Sequence, residues 1–371
     1  MNIVIVAGEI SGDLLGGKLA SALIEHDQQL TLSGIGGQTM RDAGVQTLFD
    51  VNETSVIGIV EVLKHYPRLR RILSTIKNHV KHNKPDLLIL IDYPEFNLKL
   101  ATYAKSLGIK VMFYVSPQVW AWRTGRVKKI KKCVDLMAVL FPFEVDFYKK
   151  ENMPVCLVRH PLLDDIDATY HSNDNISEQV TTIGLLPGSR KNEIKKLLPV
   201  MIDAAQQLLT HNPNLKFILP VAHGTNIDDL KSYNIYNLPI SYQKGNFYGS
   251  VQRCQVLAIA SGTATLQTAL MGKAMVVIYK ISPVTYKLFG HMVNVEHICL
   301  ANIMLNRRAY DELIQDDANA NNLFDSLTKL INDKQTNEKM RANREQIYAS
   351  LNSGIDSSEL AQRAITLAQG N

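Results

Sequence analysis

The stretch Leu87 to Asn97, LLILIDYPEFN, runs five apolar residues straight into Asp92, with Pro94 two residues later. A buried strand that ends on a carboxylate puts that carboxylate at the rim of a sheet, and the proline stops the ladder there. Such a carboxylate can take a proton from a hydroxyl. The plainer alternative is an aspartate satisfying turn amides, with Pro94 opening a helix and Glu95 in its first turn. Three more junctions have the same form. VAGEISGD sets Glu9, Ser11 and Asp13 between an apolar run and an amphipathic stretch; Ser11 reads as the N-cap, whereas Glu9 would repel a phosphate. In LLPGSRKNEI a Pro-Gly turn leads to Ser189, read as an N-cap, and Arg190. A guanidinium beside free helix amides suits a phosphate. In AIASGTATLQ the small residues Ser261, Gly262 and Thr263 open a helix after a buried strand, which suits a diphosphate without a P-loop lysine. A solvated arginine is the competing explanation at the first of these two turns and capping alone at the second.

Other chemistries lack their residues. No HExxH, GxSxG or Walker A pattern occurs, and neither VAGEISGD nor GIGGQTM has the GxGxxG spacing that a dinucleotide fingerprint needs. His79 and His82 lie in a basic helical stretch and read as solvated side chains. The expectation is chemistry without a metal or a cofactor.

These junctions need a parallel scaffold to gather them. NIVIVA, LTLSGIG, DLLILI, KVMFYV, VDLMAVL and PVCLV alternate with helical patterns through the first half, the signature of βαβ units. A polar stretch at 162–180 reads as a linker, and TTIGLLPGSR, KFILPVA, QVLAIA and AMVVIYK then start a second series. The expected fold is α/β, two Rossmann-like doubly wound domains facing across a cleft, with ligands beyond the carboxyl ends of the strands. Residues 1–168 form the first domain, 180–350 the second, and the amphipathic C-terminal helix within 355–371 packs back on the first. From about 282 the chain reads as mostly helical.

Composition narrows the class. With 371 residues, 46% hydrophobic and 20% charged, the chain is a globular protein of two to three domains by length. Forty basic against 35 acidic residues leave +5, too weak a bias to imply nucleic acid. Positive charge concentrates at 64–84 and 123–132, interleaved with apolar residues, as on a helix that meets an anionic surface. The start lacks the basic segment of a signal peptide and no apolar run reaches a membrane-spanning length, so a cytoplasmic location is expected. Cys133, Cys156, Cys254 and Cys299 are widely spaced and read as reduced core thiols.

Together, VAGEISGD, IDYPEFN, YVSPQVWAWR, LLPGSR and SGTATLQTALMGKAMVVIYK, in this order between Ile3 and about Glu312, closely resemble the lipid-A-disaccharide synthases. These are inverting GT-B glycosyltransferases of family 19. The resemblance implies transfer of 2,3-diacylglucosamine from its UDP derivative to 2,3-diacylglucosamine 1-phosphate, giving a β-1,6 disaccharide and UDP without a metal. It implies a UDP-sugar site at Ser189, Arg190, Ser261, Gly262, Thr263 and Gln267. Asp92 is then the base, with Glu9 or Asp13 as fallback, and Ser11, Asn97, Ser116, Trp120, Trp122 and Arg123 face the acceptor or the membrane. The expected location is the inner face of the bacterial inner membrane, held peripherally, and a homodimer is compatible with it. Two positions depart from the family pattern: Gln267 stands where glutamate is usual, and Arg159 precedes His160 where glycine is usual. Another GT-B UDP-sugar enzyme, and an inactive nucleotide-sugar- or lipid-binding paralogue, stay open as alternatives.

Overall fold

A computed structural model describes residues 1–54, 59–117, 124–170, 182–221, 225–233, 238–280 and 296–370, with backbone alone at 59–65, 124, 229 and 231. Among the described residues thirteen strands form two sheets. The first contains β1 (Asn2–Ala7), β2 (Thr31–Gly36), β3 (Gln46–Asp50), β4 (Leu87–Ile91), β5 (Lys110–Tyr114), β6 (Leu136–Val139) and β7 (Val155–Leu157). The second contains β8 (Thr182–Leu186), β9 (Lys216–Val221), β10 (Ile240–Lys244), β11 (Val256–Ala260), β12 (Ala274–Tyr279) and β13 (Asp311–Ile314). Their orders are β3-β2-β1-β4-β5-β6-β7 and β10-β9-β8-β11-β12-β13, and every described pair is parallel. Both orders reverse direction once, between β1 and β4 in the first sheet and between β8 and β11 in the second. Such a reversal splays the two following loops apart and opens a crevice at the carboxyl ends of the strands.

The chain divides into two compact units, Met1–Pro161 with Leu351–Asn371, and Leu162–Ser350. In the first, Val4, Val6, Leu88 and Leu90 pack on one face of the sheet and Ile3, Ile5, Leu87, Ile89 and Ile91 on the other, all fully or nearly fully buried. A sheet covered by helices on both faces produces these unbroken apolar runs. The helix Ser357–Ala368 adds Leu360, Ala361 and Ala364 to the second of these clusters. The segment before it is tied to β7: Ile355 N–H donates to the Leu157 carbonyl at 2.9 Å and Arg159 N–H to the Ile355 carbonyl at 2.8 Å. Arg159, one of the two departures, uses its Nε to hold Asn352 Oδ1 at 2.7 Å in the same return.

One expectation is corrected and three strands are added. The polar stretch read as a linker opens with the helix Leu162–Thr169, whose Leu163 and Ile166 are buried. One short strand, β13, lies within the region after 282 that reads as mostly helical. The short strands β3 and β10 were not recognised either; with β13 they lie at the ends of the two sheet orders.

Candidate active site

Two constellations sit at the two points of reversal. In the first unit, β1 and β4 run in register with Ala7 opposite Ile91, so Gly8 and Asp92 leave the sheet side by side. Asp92 and Tyr93 both adopt left-handed backbone, φ 49° and 48°, which costs about 1–3 kcal/mol at each such non-glycine position. The surroundings hold them there. Asp92 N–H donates to the Tyr114 carbonyl at 2.8 Å, and Asn97 Nδ2 donates to the carbonyls of Asp92 at 2.8 Å and Ile91 at 3.2 Å. Tyr93 lies over Gly8, where an added Cβ would meet its ring at 2.3 Å. Its phenol donates to the Thr54 carbonyl, and the Thr54 hydroxyl donates to the Gly8 carbonyl. Gly8 is therefore glycine for space, because the ring occupies the place of a side chain.

Asp92 is half-buried beside Glu9. Burial pushes its carboxyl above the ordinary carboxylate value; the negative charge of Glu9 adds to the shift and the Tyr93 N–H opposes it. A carboxylate of raised basicity is better matched to a hydroxyl proton than an ordinary aspartate. Asp92 lines a cavity of about 300 Å³ with Ser116, Phe141 and Glu144. Glu144 is 3% exposed and accepts the Phe141 N–H at 3.2 Å. It escaped the sequence reading, although the rule that singled out Asp92, a carboxylate soon after a buried strand, applies to it after β6.

The other residues of this unit fall into place unevenly. Glu9 is exposed at the N-cap position of the helix Ile10–His26. Ser11 therefore lies inside the first turn, exposed, and is not the cap. Beside it Ile10 and Leu14, one turn apart, are 62% and 52% exposed. Asp13 is corrected as a base: its buried carboxylate accepts the N–H groups of Gly37 at 2.6 Å, Thr39 at 3.0 Å and Met40 at 3.1 Å. Those contacts anchor the start of the helix Gln38–Asp42 and engage both carboxylate oxygens. Asn97 is corrected likewise, since it is 0% exposed and its amide supports the Asp92 turn. Ser116 is buried and bonded to Tyr148 Oη and the Pro117 carbonyl. Glu95 pairs with Arg126 at 2.7 Å on the surface. Trp120, Trp122 and Arg123 lie outside the described residues.

In the second unit, Leu186 of β8 stands opposite Ile259 of β11, and the turns that follow carry Ser189 with Arg190 and Ser261 with Gly262 and Thr263. All five, together with Gln267, line one cavity of about 700 Å³. The helix Lys191–His211 is capped by Arg190, so Ser189 stands one place before the cap. The Arg190 side chain is 74% exposed and reaches Glu193 Oε1 at 3.0 Å. An exposed pair of this kind is weak, so a diphosphate can draw the guanidinium away. Gly262, at φ 150° with open space around its α-carbon, is the N-cap of the helix Thr263–Leu270, whose first amides face the turn. The Ser261 hydroxyl donates to the Ile298 carbonyl at 3.0 Å and so keeps only acceptor capacity for a ligand. Gln243, Asn246, Phe247 and Tyr248 complete the wall; they belong to β10 and the segment after it, and were missed with that strand.

A family model described as lipid-A-disaccharide synthetase matches residues 3–365. The chain is 44% identical to the lipid-A-disaccharide synthase of Geobacter sulfurreducens over 365 residues, covering 97% of this chain and 95% of the relative. It is 39% identical to that of Trichlorobacter lovleyi over 375 residues, covering 99% and 97%. Among solved structures, it is similar to the UDP-GlcNAc 2-epimerase of Neisseria meningitidis bound to UDP-GlcNAc, with a TM-score of 0.63, 13% identity and 100% of both chains covered. Acinetobacter baumannii MurG gives a TM-score of 0.56 at 14% identity, covering 100% of this chain and 99% of that one. At such low identity the structural likeness speaks for the fold alone, which is GT-B.

Proposed function

This chain belongs to the lipid-A-disaccharide synthase family, and on that premise we propose how its two constellations divide the reaction. The enzyme transfers 2,3-diacylglucosamine from its UDP derivative to 2,3-diacylglucosamine 1-phosphate and releases UDP. In this reading the first unit binds the acceptor and the second the UDP-sugar. Acceptor O6 attacks the donor anomeric carbon, the bond from that carbon to the diphosphate breaks, and the O6 proton passes to Asp92. Burial, and after it the charge of Glu9, keeps that carboxylate basic, and Glu9 is the alternative base. Arg190 and the amides at Thr263 take up charge on the departing diphosphate, while Gln267 meets the ribose.

The observation that carries this reading is the single cavity of about 700 Å³ that gathers Ser189, Arg190, Ser261, Gly262, Thr263 and Gln267. UDP binding by calorimetry, with turnover measured in parallel, tests it. Asp92→Ala is expected to lose about 100- to 10,000-fold in turnover and to bind UDP as before. Arg190→Ala is expected to weaken UDP binding. Near-normal turnover in Asp92→Ala would remove Asp92 from the mechanism.

The finer location belongs to the same proposal. Exposed Arg70, Arg71 and Lys81 on one helix and Lys128, Lys129, Lys131 and Lys132 on another support docking on an anionic membrane surface at the cytoplasmic side. Among the described residues no helix is long and apolar enough to cross a membrane. Sedimentation with anionic vesicles should fall sharply at high salt, and salt-independent association would defeat the electrostatic part. Mass photometry finding only monomers would remove the homodimer.

A further inference from the structure

Gln267, the departure that lines the second-unit cavity, is bound into a short chain of hydrogen bonds. Its Nε2 donates to Tyr248 Oη at 2.9 Å, and Tyr248 Oη donates to Asp165 Oδ2 at 3.4 Å. The three residues come from the helices Thr263–Leu270, Phe247–Arg253 and Leu162–Thr169. Only one polarity satisfies all three. An ionised carboxylate has no proton to give, so Tyr248 spends its single proton on Asp165. Its oxygen must then accept, and only the NH₂ branch of the Gln267 amide can donate to it. Turning the amide over would set its carbonyl oxygen against the phenol oxygen with no hydrogen between them. Burial raises the Tyr248 phenol above its ordinary value, which keeps that one proton in place.

We propose that Tyr248 and Asp165 are positioning residues that fix the direction of the Gln267 amide, so that its Oε1 accepts from the vicinal hydroxyls of a ribose. The inference rests on the reading of this cavity as the nucleotide site. A free amide presents donors on one branch and an acceptor on the other, whereas this one presents its acceptor throughout. The same bookkeeping of protons links positions 165 and 267. Glutamate at 267 and aspartate at 165 would compete for one phenol proton. Glutamate at 267 with asparagine at 165 would restore a complete chain running the other way, from the asparagine Nδ2 through Tyr248 to the carboxylate at 267.

Calorimetric titration of the full-length chain with UDP and with 2′,3′-dideoxy-UDP tests this. Asp165→Asn lets Tyr248 either donate to the new Oδ1 or accept from the new Nδ2, so the chain no longer imposes one direction on the amide, and UDP binding is expected to weaken about twofold, the cost of a competent state populated half the time. That penalty should vanish with the dideoxy nucleotide and in a Tyr248→Phe background. In a Gln267→Glu background Asp165→Asn should leave UDP binding unchanged or tighten it. Equal UDP affinity in Asp165→Asn and the unsubstituted chain would overturn the inference and leave the nucleotide reading intact. So would a penalty of the same size with both nucleotides. No UDP binding by the unsubstituted chain would overturn the nucleotide reading and the inference with it.

Discussion

The two sheets place chemistry at the same topological position by opposite means. After β4 the turn is made by Asp92 and Tyr93, bulky residues in left-handed backbone, and after β1 a glycine yields its space to the Tyr93 ring. After β8 and β11 the unusual backbone falls on Gly188 and Gly262, at φ 100° and 150°, and the side chains of Ser189, Arg190 and Thr263 stay exposed. The first arrangement spends backbone strain to hold one carboxylate still beside a cavity of about 300 Å³. The second leaves a cavity of about 700 Å³ with a movable arginine. A base must meet one proton at a fixed distance, which favours pre-organisation. A diphosphate carries its own charge and can draw donors into place.

The largest test of this contrast substitutes the two glycines. Gly8→Ala would put a methyl group into the Tyr93 ring, which its bond to the Thr54 carbonyl keeps from swinging aside. Asp92 would move with the neighbouring peptide. A misplacement of about 1 Å costs on the order of 100-fold in rate, so turnover should fall by about that factor while UDP affinity, measured by calorimetry, stays unchanged. Weakened UDP binding in Gly8→Ala would break the separation of the two constellations.

Gly262→Ala should act the other way round and less strongly. Nothing lies within 4 Å of the added carbon, so only the backbone objects, at φ 150°. Strain of about 1–2 kcal/mol at that turn corresponds to about tenfold weaker UDP binding, with turnover at saturating donor largely kept. Lost turnover with unchanged UDP affinity would mean that the turn serves the reacting carbon and not the leaving group.

The same contrast governs what could be read from the sequence. The central strands were legible because helices cover both faces and force apolar runs. QTLFD, ISYQK and DELI were not, because these edge strands β3, β10 and β13 carry polar side chains that erase the period. β7 is also an edge strand, but the returning segment at Ile355 pairs beside it and PVCLV stayed readable. The cavity-lining residues on the turns after β8 and β11 were visible as strand-to-helix junctions, whereas Asn246 and Tyr248 vanished with β10. Asp13 and Asn97 misled for a different reason. Their partners are backbone groups, and a carboxylate that will cap amides 24 to 27 residues away looks the same in a sequence as one that will meet a substrate.

The smallest expected effect concerns stability and sharpens the contrast most directly. If the first constellation is strained for function, removing its charge should relieve the fold. Asp92 has its carboxyl raised above the ordinary 3.8, chiefly by burial and then by Glu9. Between the unfolded value and the raised one, the folded chain keeps a proton that the unfolded chain has lost. Stability therefore falls as pH rises through that window, and the loss persists above it. Asp92→Asn abolishes this term, so the variant should match the parent in acid and exceed it by about 0.5–2 kcal/mol near neutral pH, the usual gain from one relieved site. Denaturant titration across pH measures the gap. Arg190→Ala, whose pair with Glu193 is exposed, should show no comparable gain at any pH. An Asp92→Asn variant less stable than its parent at neutral pH would mean that the turn is built around the negative charge, and that the carboxylate holds its fold as well as its proton.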